Sequence, residues 1–193
     1  MRKMALLLAC LAWSARSAAA AEYAIDPEHS SVLFRVRHLV GRVTGQFDKF
    51  SGTFTYEKEN PKAWKTAATI DAASINTKTP ERDKHLRSAD FFEVEKYPTL
   101  SFTSTRVDAV KGARAKLLGK LTIHGVTKSV ALSLEIGGAA KDPYGNERAA
   151  FVATGRINRK DFGLTWNDVL ETGGALVGDD VDLTLEIEGI KKK

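Results

Sequence analysis

The sequence predicts an all-β domain of about eight strands, either closed as a barrel or packed as a sandwich. Three observations predict it. Apolar residues recur with a period of two along most of the chain. Turn signals divide the alternating segments at spacings typical of such folds. Small residues, Gly52, Gly119, Ala153 and Gly155, share the inward phase with phenylalanines. They either leave room for a guest or mark close packing. No fixed-period repeat or low-complexity linker divides the chain, so one domain is expected.

The strands follow in order. Val32, Phe34 and Val36 alternate with Leu33, Arg35 and Arg37, which sets one apolar face inward. Weaker alternation marks Gly52-Phe54-Tyr56, and Ala67 to Thr77 is rich in β-formers. Leu100-Phe102-Ser104 and Leu117-Gly119-Leu121-Ile123 come next, then the cleaner Val130, Leu132, Leu134 and Ile136. Phe151-Ala153-Gly155-Ile157 precedes the clearest segment, where Val181, Leu183, Leu185 and Ile187 oppose Asp180, Asp182, Thr184, Glu186 and Glu188. Glu59-Asn60-Pro61, Lys111-Gly112, His124-Gly125 and Asp142-Pro143-Tyr144-Gly145-Asn146 supply turns. Two segments break the pattern. Thr79 to Arg87 begins like a helix, with Thr79 at the N-cap, Pro80 at the first helical position and acids in the first turn. Arg159 to Trp166 is polar and aromatic together. Inserts of this kind tend to carry binding sites.

Residues 1–21 have the three-part form of a cleavable secretory signal. Arg2 and Lys3 are followed by the apolar run Met4 to Trp13, then by Ser17-Ala18-Ala19-Ala20-Ala21. The run is shorter than the ~20 residues a membrane span needs. Cleavage after Ala21 fits the small-residue rule, and Ala20 would also serve. Leu7-Leu8-Ala9-Cys10 resembles a lipoprotein processing site, but the apolar run before it is too short. Export to the periplasm is the expectation, with residues 22–193 forming the single domain. Cys10 is the only cysteine, so the exported part must hold together without a disulfide. Removing Arg2, Lys3 and Arg16 from the 29 basic residues leaves 26 against 24 acids, a net charge of +2. The charges are interspersed, and Lys191-Lys192-Lys193 reads as a solvated tail. Nucleic acid is therefore not an expected partner.

Motifs that suggest chemistry are outweighed by simpler readings. His29, His38, His85 and His124 lack zinc-motif spacing, so no metal site is expected. On a helix Arg82 and His85 share a face, but Asp83 and His85 do not, so Asp83 cannot orient His85 locally. Asp161-Phe162-Gly163 spells a kinase triplet without the rest of the kinase pattern. Gly119-Lys120 lacks the other P-loop residues. Trp64 and Trp166 near turns read first as core.

The residues Asp26-x-x-His29-Ser30-x-Val32-x-Phe34-x-Val36-x-His38 and Gly45-x-Phe47-x-x-Phe50-x-Gly52 resemble the opening of the bacterial YceI-like family. The likeness continues through Arg82-Asp83-x-His85-Leu86, Asp90-Phe91-Phe92 and Tyr97-Pro98. It closes with Gly119 to Thr127 and Asn158 to Leu164. The resemblance implies an extended eight-stranded antiparallel lipocalin-like barrel with short helical caps, holding a polyisoprenoid or other long-chain amphiphile. It maps the apolar tunnel onto Val32, Phe34, Val36, Phe54, Phe91, Phe102, Leu121, Leu132, Leu134, Phe151, Phe162, Trp166, Leu183 and Leu185. It directs the search for a polar mouth to His38, Arg82, His85, Asn158 and Arg159. It also suggests a homodimer.

The functional expectation is a periplasmic carrier of a prenyl quinone, prenyl phosphate or fatty-acid derivative. It needs no catalytic residue and no cofactor beyond the lipid, and it touches membranes transiently. Each five-carbon isoprene unit buried contributes ~3–4 kcal/mol before ordering costs. The rival is an enzyme of the same fold, a hydrolase or isomerase using His85 and Arg82. A third reading is a stress-response or partner-binding module whose pocket is incidental.

Overall fold

The computed structural model describes residues 20–168 and 175–193. Of the expected signal segment 1–21, residues 1–19 lie outside the described residues. The chain forms a closed eight-stranded antiparallel barrel, so the choice between barrel and sandwich falls to the barrel. Three of its eight staves are each built from two pieces. β1 (Ala21–Ile25) and β2 (Ser31–His38) are halves of the first, separated by a 3-10 turn at Pro27–His29. β3 (Gly41–Phe47) and β4 (Phe50–Tyr56) are halves of the second. β5 (Thr66–Asp71) and β6 (Ile75–Asn76), broken by a 3-10 turn at Ala72–Ser74, make the third. The long strands β7 (Thr99–Lys111), β8 (Arg114–Ile123), β9 (Val126–Lys141), β10 (Glu147–Asn158) and β11 (Val177–Lys191) complete the ring.

β11 closes it. One side of β11 pairs with β10 from Asp180 to Ile190. The other side pairs first with β2, from Val177↔His38 to Glu186↔Ser31, and then with β1, from Gly189↔Ile25 to Lys191↔Tyr23. The change of partner falls at the 3-10 turn. Pro27 starts that turn, and the Asp26 carboxylate accepts the Glu28 amide at 3.1 Å. Arg148 on β10 fastens the same place. Its Nη1 donates to Asp26 at 2.8 Å and to Glu188 at 2.6 Å, and its Nε donates to Asp142 at 2.9 Å. One guanidinium thus ties together β10, β11, the kink and the β9–β10 turn.

The core is two apolar clusters stacked along the barrel. One gathers Tyr23, Phe54, Tyr56, Trp64, Leu132 and Leu134; the other gathers Val32, Phe47, Ile75, Leu121, Ile123 and Phe162. Phe50, Phe102 and Leu185 pack against both. β6 pairs only with β3, so the staves are not hydrogen-bonded between β6 and the start of β7. Residues 77–98 fill that gap, carrying α1 (Pro80–Arg87), the helix expected there. Thr79 is the N-cap residue, but its hydroxyl accepts from Arg82 at 3.1 Å instead of capping the first turn. Arg87 fixes the insert by donating to the carbonyls of Ala73 and Ile75 at 2.7 and 2.8 Å. Leu86, Phe92 and Val94 of the insert pack onto the second cluster.

The Arg148 clamp predicts an acid sensitivity. The Asn146 amide and then Arg148 hold the Asp142 carboxyl well below the usual carboxylate range. A carboxyl with a lowered folded pKa stabilises the fold fully above its unfolded value, about 3.9, and loses that contribution as pH falls through its folded value. The melting temperature should therefore drop as pH is lowered beneath about 4. Arg148→Met should melt lower at neutral pH and fall less steeply with acid, as followed by circular dichroism.

Candidate functional site

An apolar cavity of about 150 Å³ runs through the barrel and touches both core clusters. Toward one end its wall includes Ile25, Phe54, Trp64, Val107 and Ile187, and toward the other Phe34, Phe47, Leu100, Ile123 and Val130. Among the described residues, Thr55 and Thr66 are its only polar lining residues, and none is charged. The Thr55 hydroxyl is already used, donating to Ala63 O at 2.7 Å and accepting from Lys65 N at 2.8 Å. Such a wall recognises hydrocarbon and rewards it only by removing it from water.

Aromatic rings shape this wall, and glycines shape the rings. A Cβ on Gly45 would lie 2.3 Å from the Phe34 ring, one on Gly119 would lie 2.4 Å from the Phe102 ring, and one on Gly189 would lie 2.6 Å from the Phe54 ring. Each glycine is a notch into which a phenyl ring folds against the wall instead of projecting across the lumen. Gly155 is filled in the same way by Leu132, at 2.5 Å. The inward glycines therefore act through close packing and open space only indirectly, whereas Ala153 lines the cavity itself. One end is stopped by an aromatic group. Tyr23 stacks on Phe54 at 5.2 Å, Phe151 meets Phe54 and Tyr56 edge-on at 5.2 and 5.3 Å, and Trp64 packs on Tyr56 at 5.0 Å. Burial, and then the hydrogen bond to Glu147, pushes the Tyr23 phenol far above its ordinary pKa, so it stays protonated and donates.

Of the tunnel residues expected from the sequence, Val32, Phe34, Phe54, Phe102, Leu121, Leu132, Leu134, Phe151, Leu183 and Leu185 line the cavity. Val36, Phe91, Phe162 and Trp166 do not. Val36 sits between Val43 and Val181, nearer the β2–β3 turn. Phe162 is fully buried in the second cluster. Phe91 and Trp166 meet at 5.1 Å with the His85 ring edge-on to both, at 5.1 and 4.8 Å. Through these rings the two inserts join over the second cluster. Phe47, Phe50, Trp64, Leu100, Leu117, Ile123 and Val130 line the cavity without having been assigned to it. Val43-Gly45-Phe47 and Phe50-Gly52-Phe54 carried the signal for the first two in their alternation. Trp64 follows a 3-10 turn at Pro61–Ala63, where no period points to it.

Of the five residues expected at a polar mouth, Arg82, His85, Asn158 and Arg159 have side chains bonded within the fold. Arg82 donates to the Thr77 hydroxyl at 2.7 Å and the Thr77 carbonyl at 2.8 Å, and that hydroxyl donates to the buried Asp83 carboxylate at 2.5 Å. His85 Nε2 lies 2.9 Å from Asp90. The Asn158 side chain accepts from the Lys160 amide at 2.9 Å, capping a 3-10 turn at Arg159–Phe162. Arg159, 4 % exposed, donates to the carbonyls of Gly178, Leu164 and Trp166 at 2.9, 2.5 and 2.7 Å. His38 ends β2, paired with Gly41 and Val177. His29 stands with Asp26 and Glu188, their donor atoms within 4.8 Å of one another. Arg148 already bridges both carboxylates.

A closed antiparallel barrel with a greasy lumen defines a class, the ligand-holding barrels of lipocalin-like form. The chain belongs to the YceI-like family: the model of the YceI-like domain matches residues 23–189. Protein YceI of Escherichia coli O157:H7 is 43% identical over 193 residues, covering 98% of this chain and 97% of that one. The crystal structure of Campylobacter jejuni YCEI superposes with a TM-score of 0.71 at 34% identity, covering 81% of this chain and 90% of that one. A polyisoprenoid binding domain from Saccharophagus degradans, implicated in plant cell wall breakdown, shares the fold, with a TM-score of 0.63 at 17% identity and coverage of 90% and 99%.

The hydrogen bonds of Arg159 give a second prediction. Arg159→Met keeps the stem but removes the donor from two buried carbonyls and one half-buried carbonyl, and should cost about 3 kcal/mol of folding stability in urea titration. An unchanged midpoint would mean that solvent replaces the guanidinium.

Proposed function

We propose that this protein is a periplasmic carrier that holds a long-chain amphiphile, most simply a polyisoprenoid with an uncharged head such as a prenyl quinone, inside its barrel. The observation that carries this reading is the apolar lumen, which has no charged lining residue among the described residues. A phosphate buried there would lose its hydration without meeting a cation, because Arg82 and Arg159 spend their donors on the fold. This favours a quinone or amide head over a prenyl phosphate, or else a head left outside in solvent. The secretory form of residues 1–21 supports export. The family relationship and the polyisoprenoid-binding neighbour support a binder over an enzyme. So does the lack, among the described residues, of a general base in the lumen wall, where a substrate's reacting atom would have to sit. Arg82 and His85 in this reading serve the roof of the barrel.

Room for a whole prenyl chain must come partly from ring rotation. A cavity of about 150 Å³ takes a guest of roughly benzene size without movement. Phe34, Phe102 and Phe151 are the rings a longer guest would turn.

Solvent extraction of protein purified from the periplasm, followed by mass spectrometry, should release a prenyl lipid. Ala153→Phe, which adds a ring to the lumen wall, should weaken uptake of a long-chain quinone at least ~10-fold, one isoprene unit being worth more than that. No extracted lipid and no quinone uptake by the unsubstituted protein would overturn the carrier reading.

A further inference from the structure

Among the described residues, four large hydrophobic side chains are exposed, and two of them, Leu39 and Val40, are adjacent at the tip of the β2–β3 hairpin. Val40 is fully exposed. Leu39 holds φ at 52°, a left-handed conformation that glycine or asparagine adopts far more cheaply. Fold stability alone would favour a different residue at both positions. The hairpin from Ser31 to Phe47 also carries Arg35, Arg37 and Arg42 and no acid. All three arginines are exposed. Arg37 donates to the carbonyl of Leu39 at 3.0 Å and so has no carboxylate partner in that bond. Arg42 reaches Asp182 at 3.1 Å, but Arg156 takes the same carboxylate at 2.6 Å. A small apolar tip therefore stands inside a collar of incompletely neutralised guanidinium groups.

We propose that this hairpin is a bilayer-docking tip: Leu39 and Val40 enter the headgroup region of an anionic phospholipid membrane while Arg35, Arg37 and Arg42 engage lipid phosphates. Arginine pairs well with phosphate, and basic residues beside an anionic surface each strengthen binding by about fivefold. A second copy of this chain fits less well. Two exposed side chains fall far short of the ~800 Å² per partner that a stable dimer buries. A two-fold contact would also bring the arginine collars together. The same hairpin carries Phe34 and Phe47 in the cavity wall, so docking brings one end of the lumen to the membrane. The docking chemistry is independent of what the lumen holds; only its purpose rests on the carrier reading.

Flotation of the purified protein with vesicles tests this, using phosphatidylcholine alone and phosphatidylcholine mixed with phosphatidylglycerol. Flotation with the mixed vesicles, weakened by salt, is expected. Val40→Asp should reduce it at least ~10-fold, since it replaces an apolar anchor by an anion. Leu39→Gly should reduce it several-fold while leaving the melting temperature equal or higher, because the strain is relieved; a purely structural role for Leu39 would not separate the two. Uptake of a long-chain quinone from detergent solution should be unchanged in Val40→Asp, so that loss of docking and loss of the carrier reading register separately. The proposal is overturned if the unsubstituted protein floats with neither vesicle, if Val40→Asp floats equally well, or if sedimentation shows a dimer that Val40→Asp dissolves.

Discussion

The structure depends on β11 serving two partners along one edge. A sheet becomes a barrel only when its last strand finds its first, and here the first strand is kinked at Pro27–His29. β11 therefore follows β2 and then β1, with a register irregularity between Val177 and Val181. This register decides which face lines the lumen. A slip of one residue would turn Val181, Leu183, Leu185 and Ile187 outward and bring the acidic residues between them inward. Arg148 locks the kink against β10 and β11, which makes it a register pin as well as an ion-pair partner. Closure also removes most of the open edges that would otherwise invite strand addition, and residues 77–98 fill the gap left beside β6.

Given that ring, the lumen is a problem of where the phenylalanines go. Period-two alternation forces large apolar side chains inward from every stave, and eight staves of them would fill the middle. The notches at Gly45, Gly119 and Gly189 resolve this by letting rings lie along the wall. Bore is thus set by pairs, a ring on one strand and a glycine on a neighbour. Neither member reveals it alone.

That pairing explains what the sequence made legible. Alternation located seven of the eight staves, because a strand with one buried face writes its pattern into consecutive residues, and richness in β-formers marked the eighth, Ala67 to Thr77. It missed β1 and β3 as strand pieces. β1 is only five residues long, and the inward positions of β3 are Val43, Gly45 and Phe47, one of them without a side chain. The helix start survived because Pro80 and the first-turn acids act locally, whereas the hydroxyl of Thr79 was diverted by Arg82, a tertiary effect. The polar residues were the least legible. Arg82, His85, Asn158 and Arg159 looked available because their partners are backbone groups, hydroxyls, ring faces or carboxylates that the fold brings to them. Arg159 reaches Gly178, 19 residues away. A motif shows that a guanidinium is needed, but not whether a ligand or the main chain needs it.

An open lumen sets stability against function. At roughly 24 cal/mol per Å³, an unfilled space of about 150 Å³ forgoes about 4 kcal/mol of packing, a large share of a domain's net stability. The only cysteine is Cys10, so no disulfide offsets that loss. What offsets it is distributed: strands up to 16 residues long, a ring closed by β11, the Arg148 clamp, and the insert fastened by Arg87. A hydrocarbon guest restores the forgone contacts, so occupancy and folding become one linked equilibrium. Under the carrier role proposed above, the guest must nevertheless be given up. The interactions outside the lumen must therefore hold the barrel closed on their own, which is why they concentrate on the wall and the roof and leave the axis to apolar side chains that can turn.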